Sequence, residues 1–148
     1  MARRNAQAMA HLAEWMDRLD RVASPQFKAA NTREMSAKTL ELIQEGFRTE
    51  STPYGMKWRA KKFPNGEAIL IEKDKMRNQF KVTVKPGAFT VHNAAKYYWT
   101  HQKGYEPCSI PQRQMVPDPN KLPAKWIREY QRIVTGRFFR IIAQGKRT

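Results

Sequence analysis

Cysteine is almost missing from this chain: Cys108 is the only one in 148 residues. An internal disulfide is therefore excluded, and so is a zinc cage built from several thiolates. Long apolar runs are missing as well. No stretch approaches the roughly 20 apolar residues that a membrane-spanning helix needs, and no membrane partner is expected. The opening "MARRNAQAMAHLAEW" starts with arginines but has no continuous apolar core and carries Glu14 early, a poor match to a secretory signal. A reducing cytosol is the expected place of folding. The seven glycines are dispersed, so there is no glycine-rich phosphate loop. The three histidines, His11, His92 and His101, form no HExxH pattern, and no GxSxG occurs. Thirteen acidic residues could supply a pair for glycoside hydrolysis, but nothing in their spacing selects one. The expectation is a non-enzymatic chain with no metal, no cofactor and no small-molecule substrate.

Positive charge is what the sequence has in excess. Twenty-eight Lys and Arg stand against 13 Asp and Glu, a formal net charge of +15. A field of that size favours polyanions, and nucleic acid is the commonest one. The plainer reading is a solvated surface that keeps the protein soluble. Otherwise the composition is ordinary for a globular domain, 41% hydrophobic and 28% charged. The length suits a single domain, 1–148, with a modest core.

Periodicity divides that domain. Met9, Leu12, Trp15, Met16, Leu19 and Val22 recur at helical steps. Ser24-Pro25 then ends one helix and opens another, with Ser24 as N-cap. The second helix is expected to run to about Glu45, burying Leu40, Ile43 and Phe47, with Gly46 as its left-handed stop. These two helices, 1–47, form a helical hairpin. A Pro- and Gly-rich loop follows at 48–66. Residues 67–104 form the β-sheet region. In "QFKVTVKPGAFTVHN" the period changes to 2, and Pro86-Gly87 supplies a hairpin turn. "AILIEK" ahead of it is a strand or a short helix, which periodicity alone does not decide. A proline-rich arm occupies 105–123, and a final helix 124–143. The fold class is α+β: an N-terminal helical hairpin, a small antiparallel sheet, and a long C-terminal helix packed on the sheet.

That last helix has two chemistries. At 100° per residue, Lys125, Arg128, Arg132 and Arg140 fall within an arc of roughly 120°. Trp126, Ile127, Tyr130, Ile133, Val134 and Phe138 fill much of the other side, with Ile141 and Ile142. The basic stripe can meet DNA phosphates, an acidic partner, or water.

"YYWTHQKG" at 97–104 poses the sharpest question. Tyr97, Tyr98 and Trp99 are a base-stacking platform if exposed and a packed strand end if buried. Neighbouring strand residues point to opposite faces, so at most two of the three rings can share one surface. Packing is the preferred reading. His101 then holds a backbone carbonyl with one ring nitrogen, and Gly104 turns the chain. The enzymatic alternative is a small basic ribonuclease with His101 as base and Arg113 or Lys103 on the phosphate.

The order of landmarks carries more than any single one. After the helical hairpin come Pro53-x-Gly55-x-x-Trp58, a hydrophobic segment leading to Met76, and the β-hairpin. Tyr97-x-x-x-His101-Gln102-x-Gly104, Pro111-x-Arg113 and a terminal helix follow. This series, roughly Thr39 to Ile142, resembles the phage virion morphogenesis family, the tail-completion proteins of Mu-like phages. Lys73-Asp74-Lys75-Met76 departs from the Thr/Ser-Gly-x-Leu usual in that family, and Tyr98 stands where a small residue is usual. The resemblance implies a virion protein of the neck, made in the host cytoplasm, that joins tail to head as a ring around the DNA channel. Its implied partners are copies of itself (a hexamer, or a dodecamer), portal, connector or tail-terminator proteins, and genomic DNA held non-specifically. Six copies would carry about +90. A basic DNA-binding module of packaging is the alternative. On the neck reading Pro53 and Gly55 shape a turn, Trp58 anchors the loop, His101 and Gln102 tie the strand end to neighbouring backbone, and Arg113 makes an ion pair or an intersubunit contact.

Overall fold

A computed structural model describes residues 2–61 and 76–144. Helix α1 (Ala2–Ala23) meets helix α2 (Pro25–Thr49) at a one-residue break. Ser24 is extended there (φ −68°, ψ 152°), and its Oγ accepts the Phe27 N–H at 3.1 Å. With an N-cap hydroxyl and a proline in the first turn, the break is locally encoded.

The α2 helix is the central element, touching α1, α4 and both strands. Leu42, Ile43 and Phe47 form its buried face. Phe47 meets Trp58 edge-on at 5.3 Å and Phe80 at 6.0 Å, and Phe80 meets Tyr98 at 5.6 Å. Edge-to-face pairs of this kind add about 1 kcal/mol each beyond the area they bury.

Strands β1 (Phe80–Lys85) and β2 (Ala88–Asn93) pair antiparallel, from Phe80 opposite Asn93 to Lys85 opposite Ala88. Pro86-Gly87 closes the hairpin, with Gly87 at φ 79°. Among the described residues these are the only named strands, and "AILIEK" (68–73) lies outside them. Helix α4 (Ala124–Ala143) lies mainly along α2 and reaches the sheet through Tyr130, whose ring meets Phe89 at 6.5 Å. The Tyr130 hydroxyl is 2.6 Å from Thr39 Oγ1, which already donates to the Met35 carbonyl at 2.8 Å. Tyr130 is therefore the donor of that pair. The α+β class and the C-terminal helix against the sheet are as the sequence predicts.

Three local expectations change. The second helix does not stop at Glu45. It continues to Thr49, and Glu50, not Gly46, is the left-handed residue (φ 50°), its N–H aimed at the Gly46 and Phe47 carbonyls. Gly46 serves close approach instead: Ser51 N donates to its carbonyl at 3.0 Å, and a Cβ there would lie 3.2 Å from the Ser51 carbonyl oxygen. Next, 97–104 is not a strand end. Tyr98–Lys103 is a short helix, α3, so the sheet region of 67–104 contains a hairpin and a helix. Finally, the first helix does not bury its apolar stripe, as described below.

Candidate interaction surfaces

The landmark residues converge on one interlocked region. In the loop after α2, Gly55 adopts φ 89° and its N–H reaches the Thr52 carbonyl at 2.9 Å. Pro53 sits in this turn, which a bridge between Ser51 and Lys57 closes. Trp58 follows, buried, its Nε1–H on the Gln114 carbonyl at 3.0 Å. Tyr54, inside the same turn, donates to the Lys121 carbonyl at 2.8 Å and accepts from the Asp118 N–H at 3.0 Å. Sequence reasoning passed over Tyr54. The loop is thereby stitched to the proline-rich arm at both ends.

From the other side, α3 holds the same arm. Gln102 Oε1 accepts the Met115 and Val116 N–H groups at 2.8 and 3.2 Å, while Nε2 donates to the Val116 carbonyl at 2.7 Å. Gly104 (φ 78°) lets the arm pass close by: a Cβ there would meet Gln112 N at 3.0 Å and the Ile110 carbonyl at 3.2 Å. Pro111 is half-buried within the returning segment, just beyond the Tyr105–Ile110 bridge. Arg113 is the bolt. Its N–H meets the His101 carbonyl at 2.7 Å, and its buried guanidinium donates to the carbonyls of Arg59 and Ala60 at 3.1 and 3.4 Å. Within the chain Arg113 is thus a backbone clamp. Burial lowers its pKa, and Glu50 opposes that shift.

His101 departs from expectation. Its Nδ1 is buried without a hydrogen-bond partner and holds no carbonyl. Burial lowers the imidazole pKa, and the Arg113 charge lowers it further. The rings beside it divide. Tyr98 is buried, whereas Tyr97 and Trp99 are 68% and 63% exposed. The expectation that all three pack therefore holds for Tyr98 alone, because a helix turns its neighbours outward by about 100° each. Lys103 Nζ stands 5.3 Å from the centre of the exposed Trp99 ring.

The basic stripe of α4 is partly neutralised. Lys125 pairs with Glu45 at 2.7 Å and Arg132 with Glu129. Arg140 bends back to the Gly136 carbonyl at 3.3 Å. Arg128 is exposed and has no acidic partner among the described residues. A fifth cation, Arg137, faces α2, bonding Asn31 at 3.1 Å and pairing with Glu34.

The α1 helix reverses the usual amphipathic arrangement. Leu12, Trp15, Met16 and Leu19 are each about half exposed, at 48–58%. The residue buried instead is Arg18, 5% exposed, which pairs with Glu14 and donates to the Ile142 carbonyl at 3.1 Å. That contact satisfies an orphan carbonyl in the last turn of α4 with a cation, a favourable end for the helix dipole. The spacing Glu14-x-x-x-Arg18 was the available signal for it.

Two concave surfaces flank the interlocked region. A groove of about 770 Å³, largely apolar, runs between β2, α3, the arm and α4, with Phe89, Trp99, Val116, Leu122 and Tyr130 among its walls. A second hollow of about 860 Å³ lies on the far side of α3, lined by Arg59, Lys61, Lys103 and Arg113. Among the described residues no group of three His, Cys, Asp or Glu could hold a metal, and no helix is long and apolar enough to cross a membrane. Comparison with protein-family models, curated proteins and solved structures finds nothing that matches the chain.

Proposed function

We propose that this chain is a structural subunit that assembles head-to-tail into a ring, in the role of a phage neck protein completing the tail and joining it to the head. The observation that carries the proposal is the outward apolar face of α1. Large contiguous apolar patches left exposed mark interaction surfaces, whereas apolar residues scattered singly do not. A monomer gains nothing from exposing Trp15 and three neighbours along one stripe.

The occupant of that surface is a second copy. Between Ala10 and Asp20 the helix carries three acids, Glu14, Asp17 and Asp20, and one base, the buried Arg18. Over its whole length the helix sets four arginines against those three acids, so what it offers a neighbour is the apolar stripe rather than charge. The apolar groove beside α3 gives the stripe a receptor on a different face of the molecule. Contacts between two unlike surfaces are heterologous, and they close into a ring when the rotation permits. A ring of basic subunits suits a channel through which DNA passes, because phosphates replace the counterions that would otherwise condense there. Portal, connector or tail-terminator rings are its neighbours on this reading. The internal use of Trp58, Gln102, Gly104 and Arg113 supports a structural role for the landmark residues.

The test is negative-stain imaging of purified particles carrying a tag on this chain. Label at the head–tail junction is expected, and L12D/L19D should remove it while the circular dichroism spectrum stays unchanged. Particles that lack the chain, or that keep it despite both substitutions, overturn the proposal.

A second reading, a nucleic-acid-binding module, is favoured by one feature: exposed Trp99 with Lys103 over its ring.

A further inference from the structure

The hollow on the far side of α3 combines features that the fold does not require. Among the described residues four cations line it, Arg59, Lys61, Lys103 and Arg113, against one carboxylate, Glu106. Their presence together is a consequence of the interlocked region. Arg113 draws the carbonyls of Arg59 and Ala60 onto its guanidinium, which places the Arg59 side chain at the rim. Gly104 lets residues 110–113 of the arm close against the end of α3, where Lys103 lines the hollow. Arg59 and Lys103 are exposed, whereas Arg113 is 7% exposed and contributes its charge at the floor.

The hollow also carries a ring. Tyr105 lines it and is 48% exposed. Trp99, beside Lys103, belongs to the wall of the apolar groove instead. Cations around a concavity with an open aromatic face form the arrangement that takes a charged backbone and its bases together. An acidic peptide would match the cations but has no use for the ring.

We propose that this hollow binds the phosphodiester backbone of nucleic acid, through Arg59 and Lys103 over the charge of Arg113, with Tyr105 placed to stack on bases. The site is separate from the α4 stripe, half of which is neutralised by Glu45 and Glu129. It deepens the reading of a protein beside DNA by naming the face that meets the phosphates, and it does not depend on ring closure.

Fluorescence anisotropy of labelled single- and double-stranded DNA with the full chain tests it. At about 50 mM salt, R59A/K103A should weaken binding roughly tenfold or more and lower the slope of log K against log salt by about 2. The charge-matched R128A/R140A on α4 should stay within about threefold of the unsubstituted chain. Y105A separates the sources: a loss confined to the single strand assigns unpaired bases as ligand, and equal retention on both assigns the duplex backbone. Equal losses for both double substitutions would reveal a diffuse field and overturn the site. Displacement of the DNA by polyglutamate of matched charge, at matched concentration, would overturn the ligand class in favour of an acidic protein. Size-exclusion chromatography with light scattering on R59A alone keeps the two proposals apart, because Arg59 lines the hollow and not the apolar groove, so assembly should be unaffected.

Discussion

Gln102 holds Met115 as a neighbouring strand would, its amide oxygen accepting the Met115 N–H at 2.8 Å while its amide nitrogen donates to the Val116 carbonyl at 2.7 Å. One side chain thus replaces a strand edge for an arm whose prolines prevent regular pairing.

Replacing Gln102 by Ala should leave these backbone groups unsatisfied in a partly buried place and cost about 1–3 kcal/mol. Gln102→Glu should be no better, since a carboxylate loses the donor to Val116. Urea unfolding followed by tryptophan fluorescence measures both. A midpoint unchanged by Gln102→Ala would show that the arm is held without it.

Gly104 and Gly55 both have positive φ, at 78° and 89°, but their surroundings differ. A Cβ on Gly104 meets Gln112 backbone at 3.0 Å, and one on Gly55 meets nothing within 4 Å. Gly104→Ala should therefore destabilise by about 2–3 kcal/mol and Gly55→Ala by about 1 kcal/mol. Thermal melts rank the two, and the reverse order would contradict the close approach at Gly104.

His101 predicts a pH dependence of a given sign. Its folded pKa lies below the ordinary 6.5, from burial first and from Arg113 second. The unfolded chain therefore binds the proton more readily, so stability rises with pH through this range and is lost as pH falls from 6.5 towards the lower folded value. Urea midpoints at about pH 7.5 and 5.5 should differ more for the unsubstituted chain than for His101→Gln. An identical pH slope in the two would assign the effect to other groups.

Arg18 is the tether of α1. Arg18→Met keeps the bulk but loses the bond to the Ile142 carbonyl and the pair with Glu14, a local loss of about 1–2 kcal/mol. Hydrogen exchange in α1 should accelerate while α2 and the β-hairpin keep their protection. Unaltered exchange in α1 would mean that the helix is held by other contacts.

How far the sequence was legible depends on how local each signal was. The Ser24-Pro25 break, the Pro86-Gly87 turn and the span of α4 were all readable, because a cap, a turn residue or a period of 3.6 acts within a few residues. Trp58 as loop anchor, Gln102 as a backbone tie and Gly104 as a turn were readable too, from residue type and order. The partners of those residues were not. Nothing near Arg113 in the sequence indicates the carbonyls of Arg59 and Ala60, more than 50 positions away. Nor does anything near Trp99 say that its ring faces out while Tyr98 beside it faces in.

By itself, then, the sequence determined where chain segments turn, which face of each helix is apolar, and that the molecule is strongly basic, since all three follow from neighbouring residues and from sums. Only the tertiary structure decided which apolar face is covered. The α4 face finds α2 and the sheet, whereas Leu12, Trp15, Met16 and Leu19 of the α1 stripe stay about half exposed and Arg18 is buried beside them. Burial depends on what the distant chain brings into contact, and periodicity carries no record of that.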